Sequence, residues 1–251
     1  MMEEKEASFI EHLIELRKRL LLGIAGTLII FLALAPFSKT LYTLLAGPLL
    51  QALPAGGHMI ATQVISPFLT PMKLALLVAL VIAAPWWLYQ MWLFIAPGLY
   101  AHEKKLFGGI VISSVFFFFL GLVFAYTVVF PLAFRFLLHA APEGVEVMTD
   151  INEYLDFVMS MFVAFGLSFE VPVVVVLLAR LGIVKVAQLK KARPYVIIGA
   201  FFIGAMITPP DVISQLLLAL PLWLLFEIGV LFAGYLGRKD ALAPKEDTSS
   251  L

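Results

Sequence analysis

The chain has 251 residues, of which 62% are hydrophobic and only 14% charged, with a mean hydropathy of +1.02 and a formal net charge of zero. A soluble domain is about 45–50% apolar and about 25% charged, so this chain has too little polar surface to cover a water-soluble body. Zero net charge leaves no basic face for a nucleic acid, and the lack of cysteine removes disulfides, thiolate metal sites and thiol nucleophiles.

The apolar residues come in runs of about 18 or more, the length that crosses a ~30 Å hydrocarbon core. The fold class expected is therefore all-α: a polytopic membrane protein with six transmembrane helices, both termini inside, and short fifth and sixth spans. Residues 1–239 read as one six-helix transmembrane domain and 240–251 as a flexible cytoplasmic tail. No internal repeat stands out.

Ser8-Phe9-Ile10-Glu11 reads as a capping box that begins the first ordered element. Ile10, Leu13, Leu16 and Leu20 then share a helical face, with Glu11, His12, Glu15, Lys18 and Arg19 largely opposite. That is an interfacial amphipathic stretch running into a membrane span. Ala33-Leu34-Ala35 has the look of a signal cleavage site, but the run before it is long and its flank is acidic as well as basic. An uncleaved first helix is expected.

The six spans fall at about 18–37, 72–96, 105–138, 152–181, 194–208 and 212–235. Ser38 to Pro71 forms a longer outside segment, in which Leu41–Leu53, interrupted by Gly47-Pro48, suggests a short surface helix or helix pair. The third and fourth spans, at around 30 residues, must tilt or project. The fifth, Pro194 to Thr208, reaches only about 22 Å. It joins the sixth through Pro209-Pro210, and this short hairpin beside long helices should thin the bilayer.

Orientation follows from the basic residues. Fourteen lie on one side, from Lys5, Arg17, Lys18 and Arg19 through Lys104, Lys105, Lys190, Lys191 and Arg193 to Lys245. Only Lys39, Lys73 and Arg135 lie on the other. The positive-inside rule then puts both termini in the cytoplasm and the acidic loop around Glu143 to Asp156 outside.

Enzyme readings fail at the motif level. There is no Gly-x-Ser-x-Gly, no His-Glu-x-x-His and no phosphate-binding glycine loop. The four histidines lack metal-ligand spacing, so neither a metal nor a cofactor is expected.

Glu170 is the most informative residue, because a charge within a span costs on the order of 3 kcal/mol and must face protein or water. Pro172 frees the carbonyl of Ser168 beside it, leaving a kinked polar spot. The bland alternative is a hydrogen-bonded packing glutamate. Gln215 and Glu227 make weaker cases of the same kind. They are twelve residues apart, about 18 Å along the axis, and cannot form one site. On the cytoplasmic face Glu15 pairs with Arg19 at i,i+4, and Glu103 stands beside Lys104 and Lys105. Such exposed pairs are usually only solvated, yet two carboxylates on separate elements can accept two guanidinium forks.

Four segments, in order along nearly the whole chain, carry a resemblance. They are His12-Leu-Ile-Glu15-Leu-Arg17-Lys-Arg19-Leu, Phe94-Ile-Ala-Pro97-Gly-Leu-Tyr100-Ala-His102-Glu103, Phe165-Gly-Leu-Ser-Phe-Glu170-Val-Pro172, and Thr208-Pro209-Pro210-Asp211 with Gln215. Together they resemble TatC, the multispanning subunit of the twin-arginine protein translocase. The resemblance implies an inner-membrane receptor for consecutive-arginine signal peptides of folded proteins. It further implies recruitment of single-span subunits of TatA and TatB type, self-association, and export driven by the proton-motive force. Glu15 and Glu103 would bind the arginine pair, helped by Arg17, Phe94 and His102. Glu170 would contact a partner helix, while Pro48, Phe68, Asp211 and Gln215 would belong to an outward-facing surface, Gln215 also serving as a helix contact. The alternative from another class is a proton-coupled small-molecule transporter using Glu170 or Glu227, for which no repeat or cluster of midplane polar groups speaks.

Overall fold

The computed structural model describes residues 2–47, 59–95, 104–139, 148–207 and 212–242. Helix α1 spans Met2–Leu34 and a 3-10 turn, Ala35–Phe37, leads into α2, Ser38–Leu45. Then come α3, Ser66–Ile95, and α4, Lys104–Phe124, which passes through a π-helical turn, Ala125–Val129, into α5, Phe130–His139. The last four helices are α6, Ile151–Ser168, α7, Val171–Arg180, α8, Val186–Ile207, and α9, Val212–Leu242. Among the described residues the extended backbone is a single bridge between Ile60 and Asp150. Among the described residues five stretches are long and apolar enough to cross a membrane: Ile10–Leu45, Ser66–Ile95, Phe107–Leu137, Ile151–Arg180 and Gln215–Leu236. The all-helical membrane fold expected is the one found, while the expected fifth span, 194–208, is not among these five stretches and the expected sixth lies in the 31-residue helix α9.

Several boundaries differ from the sequence reading, each for a local reason. Helix α1 begins at Met2, so Ser8 lies inside it and the expected capping box is not its start. Glu, Lys and Ala before Ser8 are good helix formers, and the early acids suit the positive end of the helix dipole. Helix α8, which holds the expected fifth span, starts at Val186, eight residues before that span, with Pro194 inside it. Lys190, Lys191 and Arg193 occupy that early part and leave only Pro194–Ile207 apolar, roughly 21 Å of helix. The fourth apolar stretch is two helices parted at Phe169-Glu170. The cause is Pro172, which cannot donate to the Ser168 carbonyl. Helix α9 runs to Leu242, three residues into the expected tail.

The chain forms two compact units, Met1–Val163 and Ala164–Leu251. In the first, α1 lies along α3. Two tryptophans of α3 close this seam: Trp87 donates its indole N–H to the Thr27 hydroxyl at 2.9 Å, and Trp86 donates to the Leu22 carbonyl at 3.2 Å. Small residues make room for the rings, since a Cβ on Gly23 would fall 2.7 Å from Trp87. Helix α2 turns one face inward, where Leu41, Tyr42 and Leu45 meet a core of Leu74, Leu77 and Leu155, and leaves Lys39, Thr40, Thr43 and Leu44 exposed. An aromatic cluster of Phe130, Phe134, Phe157 and Phe162 joins α5 to α6.

Asp150 caps α6, accepting from the Asn152 backbone N–H at 2.7 Å. Its other oxygen accepts from the Thr62 backbone N–H and hydroxyl at 2.8 and 2.7 Å, clamping residues 60–62 to the helix start. Asn152 extends the clamp, donating to Ser66 and meeting Thr70, both buried.

In the second unit α9 packs on α7 and α8. Val175, Leu189, Phe226 and Val230 make one core, and Ala200, Ala219 and Leu222 another. The closest approach is at Gly229, where a Cβ would meet the Pro172 Cα at 2.9 Å and the Val175 Cβ at 3.0 Å.

Two predictions follow from this packing. Gly229→Ala must push α9 off the α7 backbone and should cost about 1–3 kcal/mol of stability. Gly199→Ala, with nothing within 4 Å, should be neutral or gain up to about 1 kcal/mol from helix propensity; thermal unfolding in detergent compares them directly. The Thr62 hydroxyl and backbone, with the helix N–H groups, hold the Asp150 carboxyl down from its ordinary 3.8 to about 2. A depressed carboxyl stabilises the fold above its unfolded value and loses that effect as pH falls towards 2. Amide exchange at residues 60–62 should therefore quicken over that acid window in the wild type, and Asp150→Asn should be fast throughout.

Candidate functional site

The end of α1 that carries Glu15 is tied to the end of α3. The His12 imidazole stacks on Phe94, ring centroids 4.2 Å apart and planes inclined by 19°. Two turns along α1 from His12, Arg19 donates through Nε and Nη2 to Oε1 of Glu15, at 3.0 and 2.6 Å. Its third hydrogen bond, from Nη1, goes to Oε1 of Gln90 on α3 at 2.9 Å. The expected Glu15–Arg19 pair is thus present, while the Gln90 contact has no counterpart in sequence spacing. Gln90 is only 4% exposed, whereas the Arg19 and Glu15 side chains are 23% and 35% exposed. The carboxylate stands at the edge of the seam, held from beneath and open on one side. Arg17 is exposed nearby in sequence.

Glu15, Phe94 and Arg17 are the sequence-selected receptor residues that the structure describes. Glu103 and His102 lie outside the described residues, as do Pro48 and Asp211. Phe68 is 66% exposed near the start of α3, beside exposed Ile65 and Leu69.

In the second unit Glu170 is 4% exposed and immediately precedes α7, where its own carbonyl accepts from Val174 at 3.0 Å. Gln215 donates to the Phe201 carbonyl at 2.8 Å and packs on Gly204, fastening α9 to α8. Glu227 is bound by Arg193 at 2.6 Å, with side chains 19% and 44% exposed. Sequence reading set Arg193 among the cytoplasmic charges and Glu227 within a span. It missed the pair because their 34-residue separation becomes a contact only when α8 folds back on α9. No group of three or more potential metal ligands occurs among the described residues.

The family model described as Sec-independent protein translocase protein (TatC) matches residues 11–221, which takes in both the α1–α3 seam and the Glu170 break. The chain belongs to the TatC family. It is 54% identical to the Sec-independent protein translocase protein TatC of Escherichia coli (strain K12) over 239 residues, 95% of this chain and 93% of that one. It is 48% identical to the TatC of Haemophilus influenzae over 237 residues, covering 94% and 93% of the two chains. A crystal structure of the twin arginine translocase receptor TatC superposes with a TM-score of 0.81 at 40% identity, covering 90% of this chain and 99% of that one.

TatC membership makes this chain a multi-span membrane subunit of the Sec-independent translocase, and the solute-transporter alternative falls away. Within the TatC fold, the Arg193–Glu227 pair reads as a fastening between α8 and α9. Arg193→Glu should lower thermal stability by about 1 kcal/mol or more, and adding Glu227→Arg should recover much of the loss. The coupling read from that double-mutant cycle is expected at about 0.5–1.5 kcal/mol.

Proposed function

We propose that this chain is the receptor subunit of a twin-arginine export system, binding consecutive-arginine signal peptides of folded proteins at its cytoplasmic face. Glu15 and Glu103 take the two guanidinium groups, with Phe94, Arg17 and His102 completing the site. The observation that carries this reading is the half-exposed Glu15 carboxylate, pinned at the His12–Phe94 end of the α1–α3 seam in a chain of this family. A guanidinium offers a planar N–H fork and sheds water more readily than an ammonium, so a carboxylate held by a rigid seam favours arginine.

The remaining roles rest on the same reading. Single-span subunits of TatA and TatB type dock at Glu170 and Gln215, where buried polar groups interrupt or join helices. Pro48, Phe68 and Asp211 belong to the outward-facing surface, both termini stay in the cytoplasm, and the chain self-associates in the inner membrane. The proton-motive force supplies the energy. The short apolar run of α8, Pro194–Ile207, supports local thinning of the bilayer.

The test is a titration of detergent-purified protein with a fluorescent signal peptide carrying Arg-Arg, and with its Lys-Lys counterpart. The arginine peptide should bind at least about tenfold more tightly, a difference of about 1.4 kcal/mol. Glu15→Ala and Glu103→Ala should each remove most of that preference. Equal binding of both peptides by folded wild-type protein would sink the proposal.

A further inference from the structure

Resting on the receptor reading above, the arrangement around Glu15 has a consequence of its own. A carboxylate oxygen has two lone pairs, and both of those on Oε1 of Glu15 are used by one guanidinium, through Nε and Nη2 of Arg19 at 3.0 and 2.6 Å. Among the described residues no hydrogen bond reaches Oε2. An incoming guanidinium that is to grip Glu15 with two parallel N–H bonds needs both oxygens. It must therefore dislodge at least one donor of Arg19. The internal group has the same chemistry as the ligand, and it sits where the ligand must go.

We infer that Arg19 is a built-in competitor for the signal-peptide arginine: it occupies Glu15 in the unliganded protein and is exchanged, guanidinium for guanidinium, on binding. Gln90 makes the exchange workable. Its Oε1 accepts from Nη1 of Arg19 at 2.9 Å, on the side of the guanidinium turned away from Glu15. Because Gln90 is buried in α3, Arg19 keeps that anchor when its Nε/Nη2 edge lets go and is not released into the seam as a bare charge. The exchange also weakens binding by design. Part of the energy of the new fork is spent replacing the old one, so the receptor holds its ligand loosely enough to give it up. A lysine ammonium has no fork with which to replace the two bonds it would break, and it meets the Arg19 charge as repulsion.

The sign of one substitution separates this role from a structural one. If Arg19 merely positioned Glu15, removing it would weaken binding. If it competes, removing it should tighten binding.

The experiment titrates the Arg-Arg signal peptide into detergent-purified wild type, Arg19→Gln, Arg19→Lys and Glu15→Gln, each first shown to be monodisperse and folded by size exclusion and thermal unfolding. Arg19→Gln should bind about tenfold more tightly, the scale of one charge-assisted hydrogen-bond set removed from competition. Arg19→Lys keeps the charge and loses the fork, so it should tighten less but in the same direction. Unchanged or weaker binding in folded Arg19→Gln would overturn the inference. Glu15→Gln guards the underlying reading: if it leaves Arg-Arg binding intact, the receptor site does not include Glu15, whatever Arg19 does.

Discussion

Hydrocarbon offers no hydrogen bonds, so every backbone amide within it must find its partner inside the protein. Most of what distinguishes this chain follows from that constraint. Nearly every described residue is helical, and the interruptions within the apolar stretches are short: the 3-10 turn at Ala35–Phe37, the π turn at Ala125–Val129 and the break at Phe169-Glu170. At the last, Pro172 removes one donor, and after two residues the helix resumes at Val171 with the Glu170 carbonyl accepting from Val174. The same constraint governs side chains. Thr27 returns its hydroxyl to the Gly23 carbonyl while receiving the Trp87 indole, and Trp92 finds the Ser114 hydroxyl.

Within such a body, precision comes from close approach of helices. Gly23 lets the Trp87 ring lie against α1, and Gly229 lets α9 reach the α7 backbone. Aromatic donors then lock the first seam, where hydrophobic burial alone would not discriminate against lipid tails. The seam matters for function because Glu15 sits on one of its helices and Phe94 and Gln90 on the other. A rigid seam lets a carboxylate at its edge recognise the shape of a cation as well as its charge.

Three carboxylates among the described residues differ in what surrounds them. Asp150 is an exposed clamp built from backbone N–H groups and a threonine hydroxyl. Glu227 is neutralised by a basic residue of the neighbouring helix. Glu15 is neutralised by a residue of its own helix, which is in turn held by another, and no hydrogen bond from the described residues reaches its second oxygen.

Much of this was legible in the sequence. Hydropathy and span length dictate a helical membrane protein, because a run of apolar residues has no other stable solution in a bilayer. The i,i+4 spacing of Glu15 and Arg19 fixes their pairing, since both lie on one helix face. Pro172 announces the break beside Glu170, because a missing donor acts locally. What spacing could not supply were contacts between residues distant along the chain. Gln90 beneath Arg19, Arg193 on Glu227, Thr62 on Asp150 and Phe94 against His12 each require two helices or a loop to meet at one register. The start of α8 at Val186 was likewise hidden, because basic residues end an apolar run without ending a helix. The sequence by itself determined that the chain is built of apolar helices long enough to cross a membrane, and which charged residues are costly there. Only the tertiary structure decided which partners met across helices, because register between helices depends on how glycine gaps and tryptophan rings interlock, and no periodicity within one helix encodes that.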